Sequence, residues 1–142
     1  MTTQNYKNHA RMVPGFQYLA LISILALIGG SINYLFHATT ENKYLASLLV
    51  LTTIVLAILW IYIRVFPLKA QDRAIKSEEG LRYYIMTGKA FPNELTISQI
   101  VALRFASDAE YLGLLDRAIK EKLSNKEIKL AIQHWKGDFH RV

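Results

Sequence analysis

The side chains best suited to metal chemistry lie near the end of the chain, in the segment "QHWKGDFHRV" (133–142). His134, Asp138 and His140 offer nitrogen and oxygen atoms of the kind that bind Zn²⁺ and related ions. Their spacing crosses a glycine-containing turn and matches no common metal-binding pattern, and no third strong ligand is fixed beside them. We therefore predict that this segment is a surface tail, and we expect neither a metal nor a cofactor.

A second group of reactive side chains consists of the carboxylates Asp108, Glu110 and Asp116, which fall within one predicted helix. Paired carboxylates can act in acid–base catalysis. The first two belong to the first turn of the helix, however, where negative charge favours the helix dipole. The chain has no cysteine, and it contains no phosphate-binding glycine loop and no nucleophile elbow. We therefore predict that the protein is not an enzyme, and we identify no small-molecule substrate.

The aromatic residues Tyr83, Tyr84 and Trp135 could stack on nucleic-acid bases. The formal net charge is +6, but the lysines and arginines are scattered and form no groove around these rings. A core or interface role is the simpler interpretation of the rings, and we expect no nucleic-acid partner. Basic residues beside a membrane more often contact anionic lipids, which we expect as partners.

The elements that would position these side chains begin with two apolar segments. Residues 16–36 carry no formal charge, and neither do residues 45–63 at the start of the second segment, 45–66. At about 1.5 Å per residue, each is long enough for the roughly 30 Å of a hydrocarbon core. The first has no small-residue cleavage site after it, which argues against a signal peptide. A short link joins the two, so we predict a transmembrane hairpin over 16–66.

The distribution of basic residues predicts the orientation of the hairpin. The short loop between the spans carries only Lys43, whereas the two flanking sides carry Lys7, Arg11, Arg64, Lys69, Arg73 and Lys76. Basic flanks remain in the cytoplasm, which places both termini there and the protein in the cell inner membrane. The residues predicted at the membrane interface are Trp60, Tyr62, Arg64 and Lys69. Arg64 is interpreted as reaching up to lipid headgroups, in preference to a buried functional arginine.

Small residues in the two spans predict close helix packing in lipid. The positions concerned are Ala26, Gly29 and Gly30 in the first span and Thr53 and Ala57 in the second. In an antiparallel pair, Gly30 would lie near the level of Thr52 and Thr53, and Ala26 near that of Ala57. The contact could form within the hairpin or between copies of the chain. The alternative is that "GGSIN" (29–33) belongs to a polar pathway, and we favour packing because no ionisable side chain lies in the predicted core.

Residues 67–142 form the predicted cytoplasmic region, which begins with a stalk helix over 68–87. Pro67 suits the first turn of a helix, so the second span could pause or kink there. Pairs of opposite charge four residues apart, Asp72 with Lys76 and Glu78 with Arg82, support the stalk. Leu81, Tyr84 and Ile85 then share an apolar face, and Gly88 is a candidate C-cap.

Three capping boxes predict a small helical bundle over 95–136. The sequences "TISQ" (96–99), "SDAE" (107–110) and "SNKE" (124–127) each place a hydroxyl three residues before Gln or Glu. They predict helices over 97–106, 108–122 and 125–136. Three helices of this size bury too little apolar surface to be stable on their own. We therefore expect the bundle to pack against the apolar segment 81–86, the membrane surface or another subunit.

The segments "QNYKNHARMVPGF" (4–16) and "IVALRFASDAEYLGLLDRAIKEKLSNKEIKLAIQHWKGDFHRV" (100–142), with the two spans between them, resemble a family of short two-span bacterial membrane proteins classed as a domain of unknown function. The resemblance implies no substrate, cofactor or site residue. It draws attention to the N-terminal arm, residues 1–15. The arm either rests on lipid headgroups through Lys7 and Arg11 or docks on the cytoplasmic helices or a partner.

Taken together, the sequence predicts an all-α protein, with a transmembrane hairpin followed by a stalk helix and a small three-helix bundle. The expected function is that of a non-enzymatic membrane protein that acts through protein–protein contact, either as a homo-oligomer or with a membrane protein partner. The alternative is a subunit of an oligomeric channel, or an accessory subunit of a transporter, with Asn33, Thr52 and Thr53 as lining residues. A membrane-bound enzyme is a third reading that no sequence feature supports.

Overall fold

A computed structural model describes residues 4–6, 8 and 13–138 of the 142-residue chain, and it is all-α as the sequence predicts. A π-helical turn precedes the first α-helix, and a 3₁₀ turn separates it from the second. The five α-helices are α1 Ala20–His37, α2 Lys43–Thr87, α3 Ile97–Leu103, α4 Asp108–Lys120 and α5 Asn125–Ala131.

The chain divides into two compact units. The hairpin unit comprises the described residues of 11–66, and the helical unit comprises those of 1–10 and 67–142. Helix α2 contributes its first part to the hairpin unit and the remainder to the helical unit. It is helical through Pro67, without the pause that the proline allows. Proline has no amide hydrogen, so the carbonyl of Ile63 loses its usual helical donor there.

The hairpin unit is built from α1 and the first part of α2. Its shielded positions recur every three or four residues along each helix, as expected for two helices that share one face. They include Ala20, Ile24, Ile28, Ser31 and Leu35 in α1, and Ala46, Val50, Thr53, Ala57 and Trp60 in α2. Both helical stretches are long and apolar enough to cross a membrane, by length and composition.

The core of the helical unit combines α3, α4 and α5, each of which contacts the other two, with one face of the second part of α2. Buried residues include Ile75 from α2, Ile100 and Leu103 from α3, and Leu115 from α4. Tyr83 and Met86 of α2 pack against this core. Helix α2 ends at Thr87, and the next residue, Gly88, has a left-handed φ of 69°, so the predicted glycine C-cap is confirmed.

The predicted helix starts at 97, 108 and 125 are all correct. At the first and third, the Thr96 and Ser124 hydroxyls accept from the amides three residues on, and the Gln99 and Glu127 side chains accept in return. The sequence predicts that α3 and α5 end at 106 and 136, which is too late, because the two helices end at 103 and 131. The residues after each helix form a short antiparallel bridge instead, between Ala106 and Trp135.

Candidate functional site

The small residues predicted to pack within the membrane fall on two different kinds of surface. Thr53 and Ala57 lie on the shielded face of α2, whereas Ala26, Gly29 and Gly30 are exposed on α1. A Cβ atom added at Gly29 or Gly30 would meet no other group within 4 Å. The hairpin therefore does not bring the two sets together, and the predicted packing of Gly30 on Thr53 is not observed. A contact between copies stays a prediction.

The polar residues proposed to line a channel differ in their exposure. Thr52 is exposed and Thr53 is buried, and each hydroxyl donates to the carbonyl four residues earlier, at 2.8 Å in both cases. Asn33 is exposed on α1, seven residues after Ala26 and three after Gly30. At 100° per residue these three positions share one side of the helix. The exposed side of α1 is therefore small and polar at this level.

The residues predicted at the membrane interface also differ in their contacts and exposure. The Trp60 indole donates to the Phe16 carbonyl at 3.2 Å, and the two rings stack with centroids 5.7 Å apart. Tyr62 is exposed and packs on Phe66, with ring centroids 5.0 Å apart. Arg64 is half-buried and Lys69 is exposed. Their predicted positions relative to a lipid surface stay predictions.

The most tightly built polar site in the described part of the helical unit centres on Arg82 of α2. Its guanidinium contacts the Glu79 carboxylate at 3.2 Å and donates to the Ala106 carbonyl at 2.8 Å. It also binds the Asp108 carboxylate, with Nε at 2.8 Å. The cation lies 4.1 Å from the centre of the Tyr111 ring. One arginine thus joins α2 to the connection 104–107 and to the start of α4.

Burial sets the electrostatics of this site. Glu79 is only 7% exposed, and burial raises the pKa of its carboxyl although the charge of Arg82 opposes the rise. Burial likewise raises the pKa of the Tyr111 hydroxyl, which donates to the Glu79 carbonyl oxygen at 3.4 Å. Asp108 lies at the surface, where the hydrogen bond and the charge of Arg82 lower its pKa. Arg82 thus shares its charge between a buried acid and an exposed one.

Glu110 fastens the C-terminal segment to the start of α4. Its carboxylate accepts from the amides of Gln133 and His134, both at 3.1 Å, and from the amide of Ser107 at 3.3 Å. Partial burial alone would raise the pKa of Glu110, but the three amide donors outweigh it and the pKa is lowered. Because these amides turn toward Glu110, residues 132–134 leave the helical path, which explains the early end of α5.

The N-terminal arm reaches this same C-terminal segment. The Asp138 amide donates to the side-chain oxygen of Gln4 at 2.7 Å, and the Asp138 carboxylate pairs with Arg104 at 3.3 Å. Gln4 therefore agrees with the second interpretation of the arm, in which it docks on the cytoplasmic region. Lys7 and Arg11, the residues predicted to contact headgroups, lie outside the described residues.

Clefts on the described part of the helical unit include a charged one and a larger one. One, of about 380 Å³, is lined by three acids and three bases together with Gly137, which are Glu78, Glu79, Asp138, Arg82, Arg104 and Lys136. The other, of about 670 Å³, lies beside the starts of α3 and α5, and its lining includes Asn125 and Ser98, where the Asn125 side chain donates to the Ser98 carbonyl at 2.6 Å. The first cleft is charge-balanced, and four of its charges are paired with one another, Arg82 with Glu79 and Arg104 with Asp138.

Most of the described residues that were candidates for metal binding or catalysis form contacts that stabilise the fold. Asp138 pairs with Arg104, and the His134 amide donates to Glu110. His140 lies outside the described residues, and within the described ones no three His, Cys, Asp or Glu side chains come together. Asp108 and Glu110 bind Arg82 and backbone amides respectively, while Asp116 is exposed in the second half of α4.

The sequence does not predict the site around Arg82, because the spacing of charges favours Glu78, four residues earlier, as its partner. In the structure Arg82 pairs with Glu79, three residues earlier. Helical periodicity does place Glu79 on the buried side, because Ile75, Glu79 and Arg82 share a helical face with Met86. A carboxylate that faces the core needs a partner of opposite charge there.

Comparison with models of protein families matches one over residues 1–142, described as a family of unknown function, DUF6526. No curated protein and no solved structure matches the chain.

Proposed function

We propose that this chain, a member of the DUF6526 family, is a non-enzymatic integral membrane protein that acts through protein–protein contact and self-associates in the membrane. Lipids and further copies of the chain are its expected partners. The cell inner membrane, with both termini in the cytoplasm, is the location that the arrangement of lysines and arginines favours.

The observation that carries the proposal is the apolar surface of the hairpin unit. In the two spans, the large aliphatic and aromatic side chains outside the shielded face are exposed. They include Ile22, Leu25, Leu27, Phe36, Leu49, Leu51, Leu59, Ile63 and Phe66. Soluble proteins do not leave so large a continuous apolar surface in water. Hydrocarbon is the environment in which such a surface is stable, and helices satisfy their backbone groups there.

Self-association is supported by the exposed side of α1. Ala26, Gly29, Gly30 and Asn33 lie opposite the positions that α1 shields within the hairpin. Small residues allow two backbones to approach closely, and an asparagine amide in lipid gains from a hydrogen-bonding partner on a neighbouring helix. This combination suits a second helix better than it suits lipid tails.

A non-enzymatic role is supported by the way the polar side chains of the helical unit are used. Arg82 binds two carboxylates and a backbone carbonyl, and Glu110 accepts three backbone amides. Groups held in this way stabilise the connections between helices. The contact between Gln4 and Asp138 supports a common side of the membrane for the N-terminal arm and the helical unit.

A channel or transporter subunit is the alternative, and no specific contact favours it. The hydroxyls of Thr52 and Thr53 donate to their own helix. Replacing each of these threonines and Asn33 with leucine separates the readings: loss of flux with intact assembly would support transport.

Membrane fractionation tests the anchoring, and a reporter tests the orientation. We expect the full chain to stay in membranes washed with alkaline carbonate, and its release into the wash would contradict the proposal. A reporter that is active only outside the cytoplasm, fused after Val142, should be silent, and an active reporter would reverse the proposed orientation.

Substitution of the α1 face tests self-association. Gly30→Leu adds bulk at a position where a Cβ meets no group of the described residues within 4 Å, so the hairpin should form as before while the oligomer dissociates. Leu27→Ile, at another exposed position of α1, is the matched control and should leave the oligomer intact. An oligomer that survives Gly30→Leu would show that this face is not the contact.

A further inference from the structure

The second part of α2 has two opposite faces in the helical unit, and only one of them is covered. Ile75, Glu79 and Met86 face the core formed with α3, α4 and α5. On the other side, Leu81, Tyr84 and Ile85 are 61%, 58% and 74% exposed. The predicted apolar segment therefore supports the bundle through one face while the other face stays uncovered by the described residues.

The uncovered face is longer than these three residues. Ala70, Ala74 and Ser77 are also exposed, and together with Leu81 and Tyr84 they follow alternating intervals of four and three residues. This is the seven-residue repeat of helices that pair side by side, and the small side chains at its start permit close approach. Lipid or water imposes no such repeat on a helix.

We infer that this face, residues 70–85 of α2, pairs with the same segment of a second copy of the chain in a parallel arrangement. The inference rests on the proposed membrane function, because copies inserted in one orientation present their α2 helices in the same direction. It extends that function by naming a contact outside the apolar spans and the side chains that form it.

Charge complementarity supports a second copy as the occupant. The residues at the repeat positions, Ala70, Ala74, Ser77, Leu81 and Tyr84, form the seam of the pair. Arg73 and Glu78 are exposed and border this seam on opposite sides. Five residues apart on one helix, they lie about 140° from each other, which is unsuitable for pairing within the chain. In a parallel pair of helices, positions five residues apart on opposite sides of the seam do meet across the interface. Two-fold symmetry then gives two Arg73–Glu78 pairs for each dimer.

The ion pairs of the helical unit leave Glu78 available for this role. Arg82, which sequence spacing assigned to Glu78, is bound instead by Glu79 and Asp108. Within the described part of the chain, neither Arg73 nor Glu78 forms an ion pair. The two charges thus lie beside an uncovered apolar face with their pairing capacity unused.

Disulfide trapping tests the contact cleanly because the chain has no cysteine of its own. Single variants Leu81→Cys and Ala74→Cys lie on the seam, and Lys76→Cys is exposed to one side of it. The full chain in carbonate-washed membranes is oxidised with copper phenanthroline and separated without reductant. We expect disulfide-linked dimers for the two seam variants and almost none for Lys76→Cys.

The outcomes separate the inference from the proposed function. Full chain that leaves the membrane in the wash contradicts the membrane proposal. Full chain that stays but gives no dimer at either seam position overturns the inference alone. Equal dimer yields at Leu81→Cys and Lys76→Cys, or a linked product with a foreign chain, overturn it as well.

Charge reversal tests the direction of the pairing. Arg73→Glu and Glu78→Arg each replace two attractive contacts per dimer with repulsive ones, so the dimer should weaken roughly fivefold to thirtyfold in the Leu81→Cys background. The double variant Arg73→Glu with Glu78→Arg should recover the dimer yield. Additive losses in the double variant would overturn a parallel seam in this register.

Discussion

Removal of the charge of Arg82 is the sharpest test of what holds the helical unit together. Arg82 and Glu79 have side chains that are only 11% and 9% exposed, and their charged atoms are 3.2 Å apart. Breaking a buried pair by deleting one partner costs about 3–5 kcal/mol, because the other charge remains buried. The exposed Asp108 contributes less than about 1 kcal/mol to this loss. We therefore expect Arg82→Leu to lower the free energy of unfolding by about 3–5 kcal/mol.

The loss should depend on pH in a direction set by Glu79. Burial raises the pKa of this carboxyl above 4.5, and Arg82 opposes the rise, so Arg82→Leu raises that pKa further. A raised carboxyl pKa favours folding below the unfolded-state pKa, and this advantage disappears as pH rises through the folded-state pKa. The penalty of Arg82→Leu should accordingly be largest near neutral pH and should shrink as pH falls toward 4.5.

Urea unfolding of the full chain in nanodiscs measures this penalty, with Trp135 as the probe in a Trp60→Phe background. Trp135 packs on Phe105 in the core, with ring centroids 5.2 Å apart. Arg117→Leu, which breaks an exposed pair with Glu121, is the matched control and should leave the urea midpoint unchanged. The double variant Arg82→Leu with Glu79→Leu should recover most of the loss. A penalty below about 1 kcal/mol, or one equal at pH 5 and pH 7.5, would refute the reasoning.

Three further perturbations have specific expected outcomes. Glu79→Gln should gain stability relative to the parent as pH rises from 4.5 to 7, because the parent must ionise a carboxyl whose pKa burial raises; parallel pH profiles in urea titrations would contradict this. Glu110→Ala should cost about 1–2 kcal/mol and speed hydrogen exchange at residues 133–134, and unchanged exchange there would show that the carboxylate does not hold this segment. Gln4→Ala should remove about 1 kcal/mol of protection and make exchange at the Asp138 amide roughly fivefold faster, whereas unaltered exchange would mean that the arm does not dock there.

The features that the sequence predicts well are those that depend on local interactions. The helix starts at 97, 108 and 125 follow from capping residues three positions apart, and the end of α2 follows from a glycine that readily adopts positive φ. The apolar length of the two spans is likewise a local property of the chain.

The features that the sequence predicts poorly depend on partners distant along the chain. The ends of α3 and α5 are set by a bridge between Ala106 and Trp135 and by amides that turn to Glu110. No periodicity within α5 reveals that a carboxylate 23 residues earlier captures the Gln133 amide. The choice of Glu79 over Glu78 as the partner of Arg82 also depends on which face of α2 the bundle covers.

The small residues of the hairpin illustrate the same limit. Their composition predicts a close helix contact, but the rotation of α1 decides which neighbour they meet. Ile24, Ile28 and Leu35 occupy the shielded face instead. The position of Gly29 and Gly30 on the exposed side is consequently information that only the three-dimensional structure supplies.

The mass of the complex released from membranes into native nanodiscs tests the central claim most directly. Each chain has a mass of 16.2 kDa, so a self-associating protein should give a particle with two or more copies and no foreign chain in fixed ratio. The Gly30→Leu variant and the Arg73→Glu variant should shift that particle toward single copies. A parent chain that is monomeric in the nanodisc, or bound to a foreign protein in fixed ratio, would contradict self-association as the basis of its function.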